Sequence, residues 1–585
     1  MTNQPEVALD VACCAPGGQG SRNGAESRCQ RPDNLQYDNI LDKWNMTMYE
    51  LKNLINKVHT QHGTRVGRRL AATFLLCLSP FFIHPAAAQA PASLTFANFR
   101  DTRDLNPHIY SGEIWAQNML YESLVKVTPD GIQPWLAEKW DTSADGKVYT
   151  FTLRQGVMFS DGGAFNAQAA KQNIDAVLAN RERHGWLEMV RIIDKVEVLS
   201  EYQLRFTLKE PYYPFLIELA VTRPMRFISP AAMKDGGTKT GVKAYIGTGP
   251  YVMSEHKTDE YAVFTLNPHY WGEKPQLERV VMKVIPDNQT RLLALQKGEI
   301  ELIYGKNMID ADSFAQLNKN KTFATQLSEP VSTRMLLVNT TSENLKDVRV
   351  RQALQHAVNK VDIAEGIFNG SEVPADTLLA KNVPYSNIDL KPYTYDLDKT
   401  AALLDAAGWV KKAGQEWRQK DGKPLSIGIY YDSNTASQKV IAEYLQGEFA
   451  TLGIDLKLHG EEEQAYRDRQ KAGKFDIVFN ISWGTPYDPQ SFLSGMKLPV
   501  YGDYAAQQGL AEKKQIDDSI AHALVTTDEK ARQEYYRYVL TTLHNEAVYI
   551  PLTYERNRAV YVKSLKNVGF NPSQFEIPFD RMSRE

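Results

Sequence analysis

Three short segments of this 585-residue chain concentrate the side chains best suited to chemistry. Arg181-Glu-Arg-His-Gly-Trp186 sets two guanidiniums beside an indole, and Arg223-Pro-Met-Arg226 follows the short apolar segment Ala220-Val-Thr. Trp483-Gly-Thr-Pro-Tyr-Asp-Pro489 is a turn-rich loop directly after a predicted strand. Arginine forks match the geometry of carboxylates, and aromatic faces accept flat rings or cations. Each segment, taken singly, is explained as well by packing as by function.

Reaction chemistry has little to work with. The sequence contains no H-E-x-x-H, no G-x-S-x-G, no G-x-x-x-x-G-K-[ST] and no G-x-G-x-x-G after a strand. Gly247-Thr-Gly-Pro-Tyr251 has the glycines of a phosphate loop, but Pro250 removes a donor and no helix is predicted to follow, so a tight turn is expected. Histidines 108, 184, 256, 269, 356, 459, 522 and 544 include no pair at i,i+2 or i,i+4, so no local metal chelate is visible. His356 and His544 fall on predicted helices, and Glu461-Glu-Glu463 reads as a solvated loop. An enzyme is therefore not expected, nor is a cofactor or a direct protein ligand to a metal.

The elements that must position these segments change character along the chain. Val148–Leu153, Gln203–Leu208, Tyr261–Leu266 and Val280–Val284 alternate as half-buried strands. Asp347–Asn359 and Asp398–Ala407 repeat apolar residues at helical spacing, the second ending at Gly408, a C-cap position that needs positive φ. Strand, helix and strand patterns then alternate at Ser426–Tyr431, Lys439–Leu452, Asp455–His459 and Asp476–Asn480, which implies a mostly parallel α/β sheet in this half. Glu329–Asn339 is the expected boundary. The helix Lys530–His544 and the strands Tyr549–Thr553 and Arg558–Val562 carry the chain back. Entry into a second lobe once and return at the end is the layout of a hinged two-lobed protein whose ligand closes a cleft. The expected lobes are residues 91–331 with 555–585, and residues 332–554.

Composition and the N-terminal region place the protein. A chain of this length needs more than one core. A formal net charge of −3 argues against a nucleic-acid binder. Arg65, Arg68 and Arg69 precede the apolar run Leu70–Ile83, and Pro85-Ala-Ala-Ala-Gln-Ala90 supplies a small-residue cleavage site. These are the three parts of a secretory signal peptide, and the run is too short to span a bilayer comfortably. Export with cleavage after Ala88 or Ala90 is expected, with residues 46–90 as the signal region. Residues 1–45 are expected to be an over-called extension, with Met46 or Met48 as the start. All four cysteines (Cys13, Cys14, Cys29 and Cys77) precede that site, so the exported chain would hold neither disulfides nor thiolate metal sites.

Taken together, several segments resemble the peptide/nickel/opine family of extracellular solute-binding proteins. They are IGTGPY (246–251), NPHYWGEKP (267–275), IPDNQTRLLALQKGEIEL (285–302), VRVRQALQHAVNK (348–360) and YDLDKTAALLDAAGW (395–409). The resemblance implies two α/β lobes with mixed sheets, the first lobe carrying an extra subdomain, and a monomeric periplasmic receptor serving the membrane permease of an ABC importer. LNPHIY (105–110), NRERHGWLE (180–188), YYPFLIELAVTRPMRFI (212–228), WGTPYDP (483–489) and EIPF (576–579) are similar to the branch that serves nickel importers. That likeness implies capture of nickel, or a similar transition metal, as a small carboxylate-bearing chelate such as nickel-histidine or an opine metallophore complex.

Carried over by position, Arg223 would clamp the chelate's carboxylate, supported by Arg183. Trp186, Trp483 and Tyr487 would form the walls, with Tyr110, Tyr501, Trp115 and Phe575 around the pocket. The branch pattern has a histidine in the loop after the YDP turn; here Met496–Asp503 places Tyr501 there, and Ile114 and Trp115 replace a methionine. A fully chelated metal is therefore expected. The alternative within the family is a dipeptide, oligopeptide or haem receptor.

Overall fold

The computed structural model describes residues 92–585. The apolar run, the cysteines and the proposed cleavage site lie outside those residues. Fourteen strands carry the architecture, and alternation of apolar residues writes most of them. They are β1 (Ser93–Asn98), β2 (Ala137–Thr142), β3 (Val148–Leu153), β4 (Ile193–Ser200), β5 (Gln203–Leu208), β6 (Tyr251–Lys257) and β7 (Tyr261–Leu266) in the first half. β8 (Arg279–Val284), β9 (Leu302–Gly305), β10 (Ala324–Val338), β11 (Ser426–Asp432), β12 (Asp455–Glu461), β13 (Ile477–Ile481) and β14 (Tyr549–Tyr561) follow. In β3 the inward residues Tyr149, Phe151 and Leu153 alternate with half-exposed ones, the signature of a sheet with one face in a core.

One 11-stranded sheet runs in the order β6-β7-β8-β1-β9-β14-β10-β13-β11-β12, with a two-residue strand, Val373–Pro374, also paired to β14. Its two ends carry separate cores, which makes the molecule two-lobed. Leu94, Phe96, Phe264, Val280 and Met282 belong to one core. Leu336, Val338, Ile427, Ile429, Phe479 and Ile550 belong to the other. A separate four-stranded antiparallel sheet, β2-β3-β5-β4, is the extra subdomain. Its Phe151 and Phe206 share a core with Val478, Phe492 and Leu543 from the second half.

Strands β10 and β14 pair antiparallel along most of their length and belong to both halves of the sheet. Near β9 the register joins Leu327 to Arg558; beyond Ser332 it joins Leu336 to Ile550, with register shifts between. The sequence pattern suggests two strands, Tyr549–Thr553 and Arg558–Val562, where the chain forms the single strand β14. The polar run between them stays paired because Glu555 and Asn557 are buried against partners from elsewhere. Lys306 reaches Glu555 at 2.8 Å and Arg334 reaches it at 2.6 Å. The second-half sheet is also less uniformly parallel than its strand–helix rhythm implies. β11 runs parallel to β12 and β13, but β10 is antiparallel to β13 and β14.

Local signals account for many element ends. Asp347 caps the helix Val348–Ala357 by accepting from the Arg349 amide, and Asp396 caps Leu397–Ala406 by accepting from that of Lys399. Gly408 sits at φ +88° just past that second helix. The Gly247–Tyr251 segment leads straight into β6, as a turn should. Among the described residues, no helix is long and apolar enough to cross a membrane.

Candidate functional site

The three arginine- and tryptophan-bearing segments converge. Tyr110 lies on the connection from the C-terminal end of β1, parallel to both its neighbours, to the helix Ile114–Leu120. Loops at the carboxyl ends of parallel strands are where α/β sheets bind ligands. Arg183 and Trp186 lie in the turn between the helices Ala167–Leu178 and Glu188–Ile192, and Arg223 follows the short helix Phe215–Leu219. The loop bearing Trp483 and Tyr487 leaves the end of β13.

Tyr110 is the centre of the arrangement. The guanidiniums of Arg183 and Arg223 lie 5.8 and 5.5 Å from its ring centre. Trp186 donates its indole N–H to the Tyr110 hydroxyl at 2.8 Å, and that hydroxyl, 2.6 Å from His184 Nδ1, donates onward to it. His184 is thus neutral with its proton on Nε2, and burial, helped by the Arg183 charge, holds its pKa down to about 4. The Trp186 ring meets Trp483 at 6.3 Å and Tyr487 at 5.9 Å, and Trp483 meets Tyr501 at 5.5 Å. These separations fit edge-to-face and tilted aromatic packing. Burial raises the Tyr487 phenol to about 12 even with Arg223 and Arg226 favouring its ionised form, so it stays a neutral donor.

The two arginines are not equivalent. Arg183 is exposed, whereas Arg223 is mostly enclosed and donates from Nη1 to the Gly112 carbonyl at 2.8 Å. Burial lowers the Arg223 pKa from its ordinary value, but an arginine keeps its charge at neutral pH. The carboxylate whose charge reaches Arg223, Glu113, is already bound by Arg100. Arg223 therefore presents a charged fork with donors to spare.

The tryptophan loop is held by buried residues. Asp488 accepts from the Ser482 hydroxyl at 2.6 Å and from the Gly484 amide at 2.9 Å. Burial pushes the Asp488 carboxyl up to about 6, with those hydrogen bonds pulling the other way. Gly484 has φ +76°, and a Cβ there would stand 2.2 Å from Gln574 Nε2 and 2.6 Å from the Val331 carbonyl. Gln574 donates to the Trp483 carbonyl at 2.6 Å. Glu218 joins both sides: it accepts from the Met189 amide at 3.0 Å, from Tyr212 at 2.7 Å and from Ser491 at 3.3 Å.

Two residues expected around the pocket lie apart from this cluster. Trp115 is buried in the core beneath β1, 5.0 Å from Phe96 and 5.7 Å from Phe264, because its helix turns Trp115, Ala116, Met119 and Leu120 inward. Phe575 is exposed on its loop, while its neighbour Gln574 makes the contact to Trp483. His184, Asp488, Glu218 and Gln574 were not singled out by sequence. His184 had a signal, since it lies within the already notable Arg181–Trp186 segment. Among the described residues, no three His, Cys, Asp or Glu side chains group to hold a metal. The arrangement gathers two guanidiniums and a cluster of mutually packed aromatic rings, side-chain chemistry suited to a small anionic ligand with flat faces.

Residues 131–503 match the family model described as bacterial extracellular solute-binding proteins, family 5. The nickel-binding periplasmic protein of Escherichia coli (strain K12) is 45% identical over 518 residues, 88% of this chain and 98% of that protein. The dipeptide-binding protein of the same organism is 28% identical over 509 residues, 83% of this chain and 93% of that protein. Among solved structures, NikA from Brucella suis in complex with Fe(III)-EDTA is 47% identical with a TM-score of 0.83, covering 84% of this chain and all of that one. NikZ from Campylobacter jejuni in complex with Ni(L-His) is 26% identical with a TM-score of 0.71, over 84% of this chain and again all of that one. The chain belongs to the bacterial extracellular solute-binding proteins of family 5.

Proposed function

We propose that this protein is the periplasmic receptor of an ABC importer that captures nickel, or a similar transition metal, as a preformed carboxylate-bearing chelate and hands it to the membrane permease. The observation that carries this reading is the convergence of Arg223 and Arg183 on the Tyr110 ring, facing the wall of Trp186, Trp483 and Tyr487. Arg223 clamps a carboxylate of the chelator, Arg183 adds charge at the rim, and the aromatic rings flank its flat faces. Tyr501 supports Trp483 from behind. The metal is cargo held by its chelator, and the protein acts on it without a cofactor and without catalysing a reaction.

The lobes in this reading are residues 91–331 with 555–585, and residues 332–554, hinged where β10 and β14 cross between them, and the receptor works as a monomer. Similarity to a nickel-binding protein and to structures holding Fe(III)-EDTA and Ni(L-His) supports a metal chelate over a peptide. Native mass spectrometry of the protein isolated from periplasm, with metal analysis, tests it. A bound mass equal to one transition metal plus a small carboxylate-bearing molecule is expected. A bound peptide with no metal would overturn the reading.

A further inference from the structure

Arg226 is only 1% exposed, yet the protein binds it loosely. Its one hydrogen bond of ordinary length goes to Asn118 Oδ1 at 2.9 Å. The carbonyls of Tyr121 and Ala220 are both 3.4 Å away, and Nε has no partner. Arg334 and Arg351, also buried, are held more fully, while Arg558 and Arg532 likewise leave Nε without a partner. Arg334 holds Glu372 at 3.1 Å and Glu555 at 2.6 Å. Arg351 reaches the carbonyls of Glu546, Leu345 and Lys346 and the Glu546 carboxylate, all within 2.9 Å. A buried cation with few hydrogen bonds costs stability, and the carboxylates whose charge reaches Arg226 are Glu576 and Glu122.

Arg226 lines a cavity of about 260 Å³ together with Asn118, Trp135, Tyr270, Tyr487 and Glu576. Its guanidinium lies 4.8 Å from the Trp135 ring centre, and the buried Asn118 Nδ2 has no partner. Glu576 stands 3.8 Å from Arg226 through Oε1, while Asn571 donates to its Oε2 at 2.8 Å. Tyr487 belongs to this cavity and to the clamp, since its ring packs on Trp186 and its phenol is acted on by both Arg223 and Arg226. Tyr487 thus links the cavity to the clamp residues. Its volume is near the lower end for small-ligand pockets.

The charges select the guest. A second simple carboxylate would meet Arg226 but also face Glu576. A simple amine would meet Glu576 but also face Arg226. A zwitterion satisfies both: its carboxylate accepts from Arg226 and Asn118, and its ammonium sits against Glu576 and the aromatic faces. We propose that the Arg226–Glu576 cavity binds a zwitterionic α-amino-acid head belonging to the same chelator whose metal-bearing end the Arg223 clamp holds. This rests on the metal-chelate reading above and narrows it to chelators with an amino-acid group outside the metal's coordination sphere.

Two nickel chelates, loaded one metal per chelator, separate the ideas. Nε,Nε-bis(carboxymethyl)-L-lysine carries an iminodiacetate chelating end and a free amino-acid head; N-pentyliminodiacetate is the same chelator without the head. Isothermal titration calorimetry of the wild-type protein is expected to show the lysine-based chelate binding about tenfold or more tightly, the effect of one charge-assisted contact pair. Glu576→Gln and Arg226→Lys are expected to shrink that ratio towards one, with Trp135→Ala as the variant to use if Arg226→Lys fails to fold. Equal wild-type affinities for the two chelates would overturn the cavity proposal alone. Failure of the wild-type protein to bind either chelate or nickel-loaded L-histidine would overturn the metal-chelate reading, and this proposal with it; binding of nickel-loaded L-histidine alone would overturn this proposal only.

Discussion

Replacing Arg223 by alanine removes the one mostly buried guanidinium at the Tyr110 ring, and its consequence can be sized from the structure. Of the five N–H donors on an arginine, the Gly112 carbonyl takes one, at 2.8 Å. Glu113, the carboxylate whose charge reaches Arg223, is occupied by Arg100. The remaining donors are free for a ligand carboxylate, and a hydrogen bond involving a charged group contributes about 1.5–3 kcal/mol. Two such bonds, less the cost of ordering the ligand, give about 2–4 kcal/mol, or roughly a 30- to 1000-fold rise in Kd. Arg183 is exposed, so its loss should cost only about 0.5–1 kcal/mol. Arg223→Lys keeps the charge but not the fork and should fall between wild type and Arg223→Ala. Calorimetric titration with nickel-loaded L-histidine measures all four proteins, with thermal unfolding as the check on folding. An unchanged Kd for Arg223→Ala, or a larger effect from Arg183→Ala, would refute the clamp assignment.

Tyr110→Phe keeps the ring under both guanidiniums but leaves the Trp186 indole N–H and His184 Nδ1 without their partner; urea unfolding should show a loss of about 1–3 kcal/mol, and an unaltered midpoint would contradict the relay. Gly484→Ala forces a Cβ against Gln574 and the Val331 carbonyl at positive φ; a loss of roughly 1–3 kcal/mol is expected with weakened chelate binding, and wild-type binding would show that the loop tolerates a shift. Stability should rise as pH falls from about 7 to 5. Burial holds His108 and His184 near pKa 4, so each contributes stability that is full above pH 6.5 and lost as the pH falls towards 4. Burial also raises Glu122 and Glu218 to about 7 and Asp488 and Asp503 to about 6, so the folded state holds protons that the unfolded chain releases, and these four gain as the pH falls. Burial also lowers His356 and His544 and raises Glu576, so five carboxyls oppose four imidazoles, a net gain on the order of 2 kcal/mol. Urea midpoints at pH 5, 6 and 7 check it, and Glu218→Gln should flatten the slope by about one proton; a steady fall from pH 7 to 5 would count against this balance.

Where residue type and environment repeat in step, the fold is readable from the chain. Val148–Leu153 and Gln203–Leu208 form strands with those same limits because each alternates buried with more exposed residues on a half-covered sheet, and Tyr261–Leu266 does so as a largely apolar run with Ala262, Val263 and Phe264 buried. The helix Leu397–Ala406 and its glycine exit at Gly408 follow from apolar spacing and backbone freedom, both local properties. The polar middle of β14 is not local. Glu555 is acceptable inside a strand only because Lys306, Ser332 and Arg334 arrive from distant parts of the chain. The same division holds at the site. Arg223, Trp186, Trp483 and Tyr487 declare themselves by type in turn-rich segments, whereas Asp488 and Gln574 act through backbone groups that no spacing reveals. Trp115 misleads for the opposite reason. It has the right type near the right place, but the phase of its helix points it into the core.

The aromatic wall and strand β10 form one connected structure. The Thr333 amide in β10 donates to the Ser482 hydroxyl, which donates to Asp488, and Asp488 holds the turn that carries Trp483 and Tyr487. Thr333 adjoins Arg334, which is tied to both Glu372 and Glu555, and Lys306 completes the charge pairing from the other half of the sheet. Buried pairs of this kind add little net stability, but breaking one partner is expensive. They therefore resist local rearrangement more than they resist rotation as a unit. Any shift of β10 would then carry Trp483 and Tyr487 together, so that a ligand held by Arg223 and stacked on those rings would bias the position of that strand as well.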